Sequence, residues 1–184
     1  MAQYARPDAT LDADTESTGG GWTDNSGGTN LHLAIDETSA DDGTTYISAD
    51  DGGSDEGCVI RLSDVSAPGS SGTYIKYKAL TQDQSWSGAP SLKLELLQGT
   101  SVKATTTNGS VSTSSYTAYS YTISDVSGIS DWTDLRLRIT MVSGSGMGDY
   151  MRVTQAYLET QDAGGGGSTA TPTALNTYQQ MRNN

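Results

Sequence analysis

The feature that most constrains this chain is a two-residue alternation of apolar and polar side chains, repeated in six short runs. Within each run the apolar residues share one parity: Leu31, Leu33 and Ile35; Cys58, Ile60 and Leu62; Ile75, Tyr77 and Ala79; Leu92, Leu94 and Leu96; Tyr119, Tyr121 and Ile123; Leu135, Leu137, Ile139 and Met141. Successive side chains of a β-strand point to opposite faces, so equal parity places them on one face. Each run therefore predicts a strand that is buried on one side.

Turn residues separate these runs and indicate the fold class. Segments rich in glycine and proline lie between the runs, at residues 51–53, 67–69 and 88–90. Shorter candidate strands lie near residues 9–14, 45–48, 102–106 and 151–160. No stretch before residue 170 combines helical periodicity with low glycine content. About nine or ten antiparallel strands at this spacing predict an all-β fold, a jelly-roll-like β-sandwich.

The length of 184 residues suits one domain followed by a short tail. The glycine-rich sequence that follows Gln161 is typical of a flexible linker. We therefore expect a β-sandwich domain over residues 1–161 and a linker with a C-terminal tail over residues 162–184. In that tail Leu175, Tyr178 and Met181 recur at three-residue spacing, which suggests an anchor that docks on a neighbouring subunit.

The formal net charge of −12 is concentrated in residues 1–60, which hold thirteen acidic residues and only Arg6 as a base. Phosphate binding needs clustered lysine and arginine, so nucleic acid is not an expected partner. The N-terminus lacks the apolar core of a secretory signal, and no apolar run approaches the ~18 residues that span a bilayer. We expect no membrane partner, and synthesis in the cytoplasm without a signal peptide.

Cysteine and histidine content limits the chemistry available to the chain. One cysteine excludes an intrachain disulfide and a cysteine-rich zinc site, and one histidine excludes a histidine-rich metal centre. By parity, His32 and Glu95 point away from the core, while Cys58 lies on the buried face and is expected to be an inert thiol. We therefore predict that the protein is not an enzyme.

Acidic loops between residues 36 and 56 are the best candidate for a metal site, because calcium prefers carboxylate and carbonyl oxygens. The candidate ligands are Asp41, Asp42, Asp50, Asp51 and Asp55. Their spacing does not match an EF-hand loop, and the favoured interpretation is a solvated acidic loop. No cofactor is expected, with calcium as the possible exception.

Two further residue sets suggest binding surfaces. Trp22, Trp86 and Trp132 lie in polar contexts, which suits either caps over the open ends of a sandwich or platforms that stack on sugars. Caps are favoured. Lysine and arginine side chains stand opposite the apolar parity in three runs: Lys76 and Lys78, Lys93, and Arg136 and Arg138. If these strands share one sheet, its outer face is a cationic band suited to docking.

Several segments resemble a β-sandwich domain of tailed-phage structural proteins. They are Ala5–Ala9, Gly21–Thr23, Leu31–Glu37, Asp41–Ile47, Leu62–Gly69, Leu94–Gly99, Tyr119–Thr122, Asp134–Arg138 and Arg152–Glu159. Their order and spacing extend the resemblance over residues 4–160. The resemblance implies a jelly-roll-like module without catalysis, used as a head decoration protein or within tail and fibre assemblies.

The main functional expectation is a virion structural protein, a decoration or cement protein on the outer surface of a bacteriophage capsid. The resemblance implies that the protein associates with itself as a homotrimer and contacts the major capsid protein. One alternative is a phage tail or fibre module. The other is a carbohydrate-binding β-sandwich module, in which exposed tryptophans and calcium-bearing loops would bind sugar.

The anchor hypothesis predicts the effect of deleting residues 164–184. The melting temperature of the sandwich should stay nearly unchanged, because the deleted residues follow a linker and contribute no core. Self-association should weaken, because a tethered peptide meets its neighbour at about millimolar effective concentration. Differential scanning calorimetry and sedimentation velocity on both forms check this. An unchanged oligomeric state after deletion would contradict the anchor.

Overall fold

The computed structural model describes residues 1–15, 21–50, 55–68, 72–82, 88–142 and 149–161. Within these ranges the chain forms eleven strands and one short 3-10 helix, Leu31–Ala34. The strands are β1 (Ala2–Ala5), β2 (Pro7–Asp12), β3 (Thr23–Asp24), β4 (Ile47–Asp50), β5 (Glu56–Leu62), β6 (Thr73–Gln82), β7 (Ser91–Gln98), β8 (Ser101–Asn108), β9 (Thr117–Ile123), β10 (Leu135–Val142) and β11 (Tyr150–Gln161). The all-β prediction is confirmed. The predicted tail lies outside the described residues.

Two antiparallel sheets make up the fold. The six-stranded sheet has the order β3-β4-β11-β6-β9, with β1 also paired to β11, and the five-stranded sheet has the order β2-β5-β10-β7-β8. From β4 onward the chain passes to the other sheet at every connection except that between β7 and β8. This alternation produces the jelly-roll-like β-sandwich that the sequence predicts.

The core lies between the two sheets and follows the predicted parity. Leu94 and Leu96 of β7 lie opposite Ile139 and Leu137 of β10, and none of the four is more than 1% exposed. The six-stranded sheet contributes Ile75 and similar residues to the same cluster. Burial of each such side chain contributes about 1.5–3 kcal/mol. Because the apolar parity is buried between the sheets, the opposite parity is directed outward on both sheets.

Strand β11 organises the six-stranded sheet by using three partners along one edge. Its first residues pair with β4 and its last residues pair with β1. Between them, the backbone N–H of Ala156 donates to the carbonyl of Ile35 at 3.3 Å, next to a bulge between Val153 and Gln155. The hydroxyl of Thr154 donates to the Thr45 carbonyl at 2.8 Å. The segment between residues 35 and 45 is therefore fixed beside β11.

The strand predicted at residues 31–35 is wrong, because these residues form the 3-10 helix and its end. Leu31 and Ile35 are fully buried, but Leu33 is 61% exposed. Three residues per turn place residues 31 and 34 on one side, and residue 33 on another. Over so short a run, alternating apolar residues fit both a strand and this helix, and the helix packs against β2, where His32 contacts Thr10.

The sequence pattern does not predict two short strands, β1 and β3. They contain four and two residues, too few to show an alternation. Their pairing with β11 and β4 defines them instead. The other nine strands overlap the predicted positions.

Substitution of two neighbouring leucines distinguishes the 3-10 helix from a strand. Leu31→Ala removes a fully buried side chain and should lower the free energy of unfolding by about 2–5 kcal/mol. Leu33→Ala should change it by less than about 0.5 kcal/mol, because that side chain is exposed. Urea denaturation of both variants measures the difference. Equal destabilisation by the two substitutions would show that both side chains are buried, as in the predicted strand, and would contradict the 3-10 helix.

Candidate binding face

Tyrosines are concentrated on the outer face of the six-stranded sheet. This surface, here named the tyrosine face, contains Tyr4, Tyr46, Tyr74, Tyr116, Tyr150 and Tyr157. On β6 and β11, the basic residues and most tyrosines occupy the parity opposite to the buried residues, while Tyr77 of β6 is buried. The alternation that builds the core therefore also brings aromatic rings and cations together on this surface.

The open cluster occupies the β1 end of the tyrosine face and consists of Tyr4, Arg6, Tyr74, Lys76 and Tyr157, with Glu159. The rings of Tyr4 and Tyr157 meet edge to face, with centroids 5.9 Å apart. The guanidinium carbon of Arg6 lies 4.9 Å from the Tyr157 centroid and 5.7 Å from that of Tyr4. Tyr4 is 48% exposed. The cluster therefore presents aromatic surface and a cation to solvent together.

Lys76 and Glu159 complete the open cluster. The Lys76 ammonium lies 2.8 Å from the Glu159 carboxylate and 5.6 Å from the Tyr74 centroid. The hydrogen bond to Glu159 raises the pKa of Lys76. The ion pair brings opposite charges together, so the two side chains neutralise each other.

The covered cluster occupies the β4 end of the tyrosine face and consists of Tyr46, Tyr116, Tyr150 and Arg152. The guanidinium carbon of Arg152 lies 4.6 Å from the Tyr46 centroid and 4.4 Å from that of Tyr150. Burial raises the pKa of Tyr116, and the charge of Arg152 opposes that rise. Arg152 and the three tyrosines of this cluster are each half-buried.

One segment links the two clusters. The Glu37 carbonyl accepts hydrogen bonds from the side chains of Arg6 and Gln155. Asp42 forms an ion pair with Lys78 on β6. The next residue, Gly43, has φ of 99°. A β-carbon at this position would lie 3.6 Å from the ring of Tyr116. The segment thus crosses β11 and fixes side chains in both clusters.

The predicted cationic band does not form, because its members lie in different sheets. Lys76 and Lys78 are on β6 of the six-stranded sheet, whereas Arg136 and Arg138 are on β10 of the five-stranded sheet. All four lie within 3.0 Å of a carboxylate, as the pairs Lys76–Glu159, Lys78–Asp42, Arg136–Asp134 and Arg138–Glu95. The two pairs of bases therefore point to opposite sides of the sandwich. Docking through either side stays a prediction.

The calcium candidates are spread apart. Asp41 accepts hydrogen bonds from the backbone and hydroxyl of Thr45, both at 3.0 Å, and Asp42 pairs with Lys78. Asp50 ends β4, and Asp55 precedes β5. Asp51 lies outside the described residues. Among the residues that the structure describes, no three histidine, cysteine or acidic side chains converge on a metal position.

Trp22 and Trp132 belong to the core. They are 1% and 7% exposed, and the indole N–H of Trp22 donates to the Glu56 carbonyl at 2.8 Å. This burial supports the cap interpretation and excludes both rings as platforms for sugars. Trp86 lies outside the described residues, as do Leu175, Tyr178 and Met181.

His32, Glu95 and Cys58 each contact other parts of the fold. The His32 backbone N–H donates to the Thr10 hydroxyl at 3.1 Å, and its ring Nδ1 lies 3.1 Å from the same oxygen. Glu95 points away from the core as predicted, but Lys93 and Arg138 cover it and leave it 6% exposed. Burial raises the pKa of the Cys58 thiol strongly. The thiol is thus neutral and shielded.

Two surface depressions lie elsewhere on the molecule. One, of about 320 Å³, is lined by residues of β2 and by Asn30 and His32; the other, of about 200 Å³, is lined by residues 24–26 and 33–34 with Thr45. Neither includes a tyrosine or a tryptophan. The tyrosine face therefore differs from both in offering rings to a ligand.

Sequence reasoning missed the tyrosine face, although part of its signal was present. Tyr74 shares outward parity with Lys76 and Lys78, and Tyr157 stands between buried Ala156 and Leu158. Tyr4 and Arg6 gave no such signal, because β1 is short and joins the face only through pairing with β11.

Comparisons with known proteins bear on the fold. No family model matches the sequence, and no curated protein matches it. A Stig cyclase, Fisc from Fischerella sp. TAU, is 14% identical with a TM-score of 0.50, over 89% of this chain and all of that one. The C-terminal CBM6 module of the laminarinase LamC from Zobellia galactanivorans is 11% identical with a TM-score of 0.45, over 88% of this chain and 100% of that one. The xylan-binding module CBM15 is 14% identical with a TM-score of 0.46, over 84% and 99% of the two chains.

These similarities are to the fold of the chain. The structure defines it as a jelly-roll-like β-sandwich protein. No helix in the described ranges is both long enough and apolar enough to cross a membrane.

The buried thiol gives a direct test of the placement of Cys58. Native protein should not react with Ellman's reagent at pH 8, because the thiolate is the reactive form and the raised pKa suppresses it. Protein unfolded in urea should react fully. Leu33→Cys in a Cys58→Ala background, with a thiol at an exposed position, should react when native and serves as the control. Fast reaction of Cys58 in the native protein would show that β5 leaves its thiol exposed to solvent.

Proposed function

We propose that this protein is a carbohydrate-binding module that holds its ligand at the open cluster of the tyrosine face. The observation that supports this most directly is the half-exposed ring of Tyr4 beside Tyr157, with Arg6, Lys76 and Glu159 around them. Sugar rings present C–H groups on their faces and hydroxyls at their edges. Aromatic surface beside charged hydrogen-bonding groups is complementary to both.

Rigid strands hold the groups that would contact the sugar. In the register of the sheet, Tyr4 lies opposite Glu159, and Glu159 lies opposite Tyr74. Tyr157 lies opposite Lys76. Side chains fixed on adjacent strands lose little freedom on binding, so less of the contact energy is spent on ordering them.

The proposal is for binding without catalysis. Glu159 is neutralised by Lys76 in the open cluster, whereas a glycosidase needs two carboxyl groups across the scissile bond, one with a raised pKa. The β-sandwich fold itself does not decide between these roles, because one fold hosts many functions.

The bacteriophage interpretation stays a prediction from sequence resemblance. It concerns the decoration role, the homotrimer, the major capsid protein as partner and a place on the virion. Carbohydrate binding is the alternative that the geometry of the tyrosine face favours.

Loss of the exposed ring tests the proposal. Tyr4→Ala should weaken binding to a recognised soluble polysaccharide about tenfold, because a stacked aromatic ring contributes about 1–2 kcal/mol through contact area and ring geometry. Affinity gel electrophoresis against a polysaccharide panel finds the ligand, and isothermal titration calorimetry measures the dissociation constant.

A matched control separates this effect from general damage. Val102→Ala removes a side chain of similar exposure, 44%, from β8 on the other sheet, and should leave binding unchanged. Equal loss in both variants, or wild-type affinity in Tyr4→Ala, would contradict the placement of the site.

A further inference from the structure

Among the residues that the structure describes, two arginines on the tyrosine face have no carboxylate partner, in a chain of net charge −12. Most bases that the structure describes lie within 3.3 Å of a carboxylate oxygen: Arg61, Lys76, Lys78, Lys93, Arg136 and Arg138. In the described ranges the exceptions are Arg6, Arg152 and Lys103. Arg6 and Arg152 both lie on the tyrosine face and contact two rings each.

Arg6 keeps most of its hydrogen-bonding capacity free. Within the described part of the chain, its side chain donates one hydrogen bond, from Nη1 to the Glu37 carbonyl. A guanidinium has five N–H donors in a planar fork. The rings of Tyr4 and Tyr157 contact the guanidinium without accepting those donors, and they fix its position.

A planar fork with free donors matches a carboxylate, which accepts two parallel hydrogen bonds. We propose that the open cluster binds acidic polysaccharide, with Arg6 contacting the carboxylate of a uronic acid unit packed against Tyr4. This proposal rests on the proposed function and specifies its ligand class. A neutral sugar would leave the charge of Arg6 without a counterion.

The surroundings of Arg6 favour an anion despite the acidity of the chain. Glu159 is neutralised by Lys76, and Asp42 by Lys78. The Glu37 carboxylate accepts a hydrogen bond from the Thr45 hydroxyl. More distant acids act weakly, because the Debye length is about 8 Å at physiological ionic strength. Among the described residues no ion pair involves Arg6, so its remaining N–H donors stay available to an anion.

Arg152 places a second positive charge on the same face. It lies five residues before Tyr157 on β11, which corresponds to roughly 15 Å along the strand. That separation suits a polymer with repeated charges, and affinity should rise with the length of an acidic oligosaccharide until both charges are engaged.

Pairs of polymers with the same backbone and different charge test the proposal. One pair is de-esterified and fully methyl-esterified homogalacturonan, and a second is carboxymethyl and hydroxyethyl cellulose, all with EDTA present. We expect at least tenfold tighter binding of the acidic member of one pair, because a charge-assisted hydrogen bond is stronger than a neutral one. Arg6→Gln should remove that preference, which is measured as the ratio of the affinities for the two members of a pair.

Two further variants control for charge and folding. Arg61→Gln removes an exposed base paired with Asp8 on the other sheet and should preserve the preference. Arg6→Lys keeps the charge but loses the fork, and should lose most of the preference. Full preference in Arg6→Lys would contradict the bidentate contact. Melting temperatures identify any variant that fails to fold, and Arg6→Lys is then the decisive comparison.

The remaining outcomes separate the two proposals. Equal binding of acidic and neutral members would overturn the acidic specificity and leave carbohydrate binding intact. Binding of polyglutamate as tight as that of the acidic polysaccharides would show a site for acidic peptides and overturn the carbohydrate function. Absence of binding to every polymer would overturn both.

Discussion

Burial of one face of each sheet against the other is the interaction on which the rest of this structure depends. Residues such as Leu94, Leu137 and Ile139 lose all contact with water between the sheets. The side chains between them must then point outward, because the strand period is two. The tyrosine face is thus a consequence of core formation, and its groups are as rigid as the strands that hold them.

Electrostatics adds a second level of order to the outer faces. The chain has twenty-two acidic residues and ten basic ones, so most bases find a carboxylate nearby. Glu95 shows how closely this pairing operates, since two cations from β7 and β10 cover it on the five-stranded sheet. Against that background, an arginine held by aromatic rings in place of a carboxylate is a group kept available for a ligand.

Fold and function separate clearly in this protein. The fold is similar to that of a Stig cyclase at 14% identity, and such likeness identifies no site residue. The proposed carbohydrate binding therefore rests on the residues of the open cluster. Trp22 and Trp132, which the sequence offered as candidate sugar platforms, pack in the core. Residues without a sequence signal, Tyr4 and Arg6, form the surface that faces solvent.

The sequence by itself determined the fold class, most strands and the buried faces of β5, β6, β7, β9 and β10, because alternation is a local property of neighbouring residues. It also predicted the burial of Cys58. It did not determine which strands share a sheet, so the two pairs of bases on β6 and β10 were expected on one face and lie on opposite ones. Only the tertiary structure decided that residues 31–34 form a 3-10 helix and that β1 joins β11. The pairing of β1 with β11 joins residues more than a hundred positions apart, and the helix contacts Thr10 of β2 through His32, so the pattern of neighbouring residues encodes neither outcome.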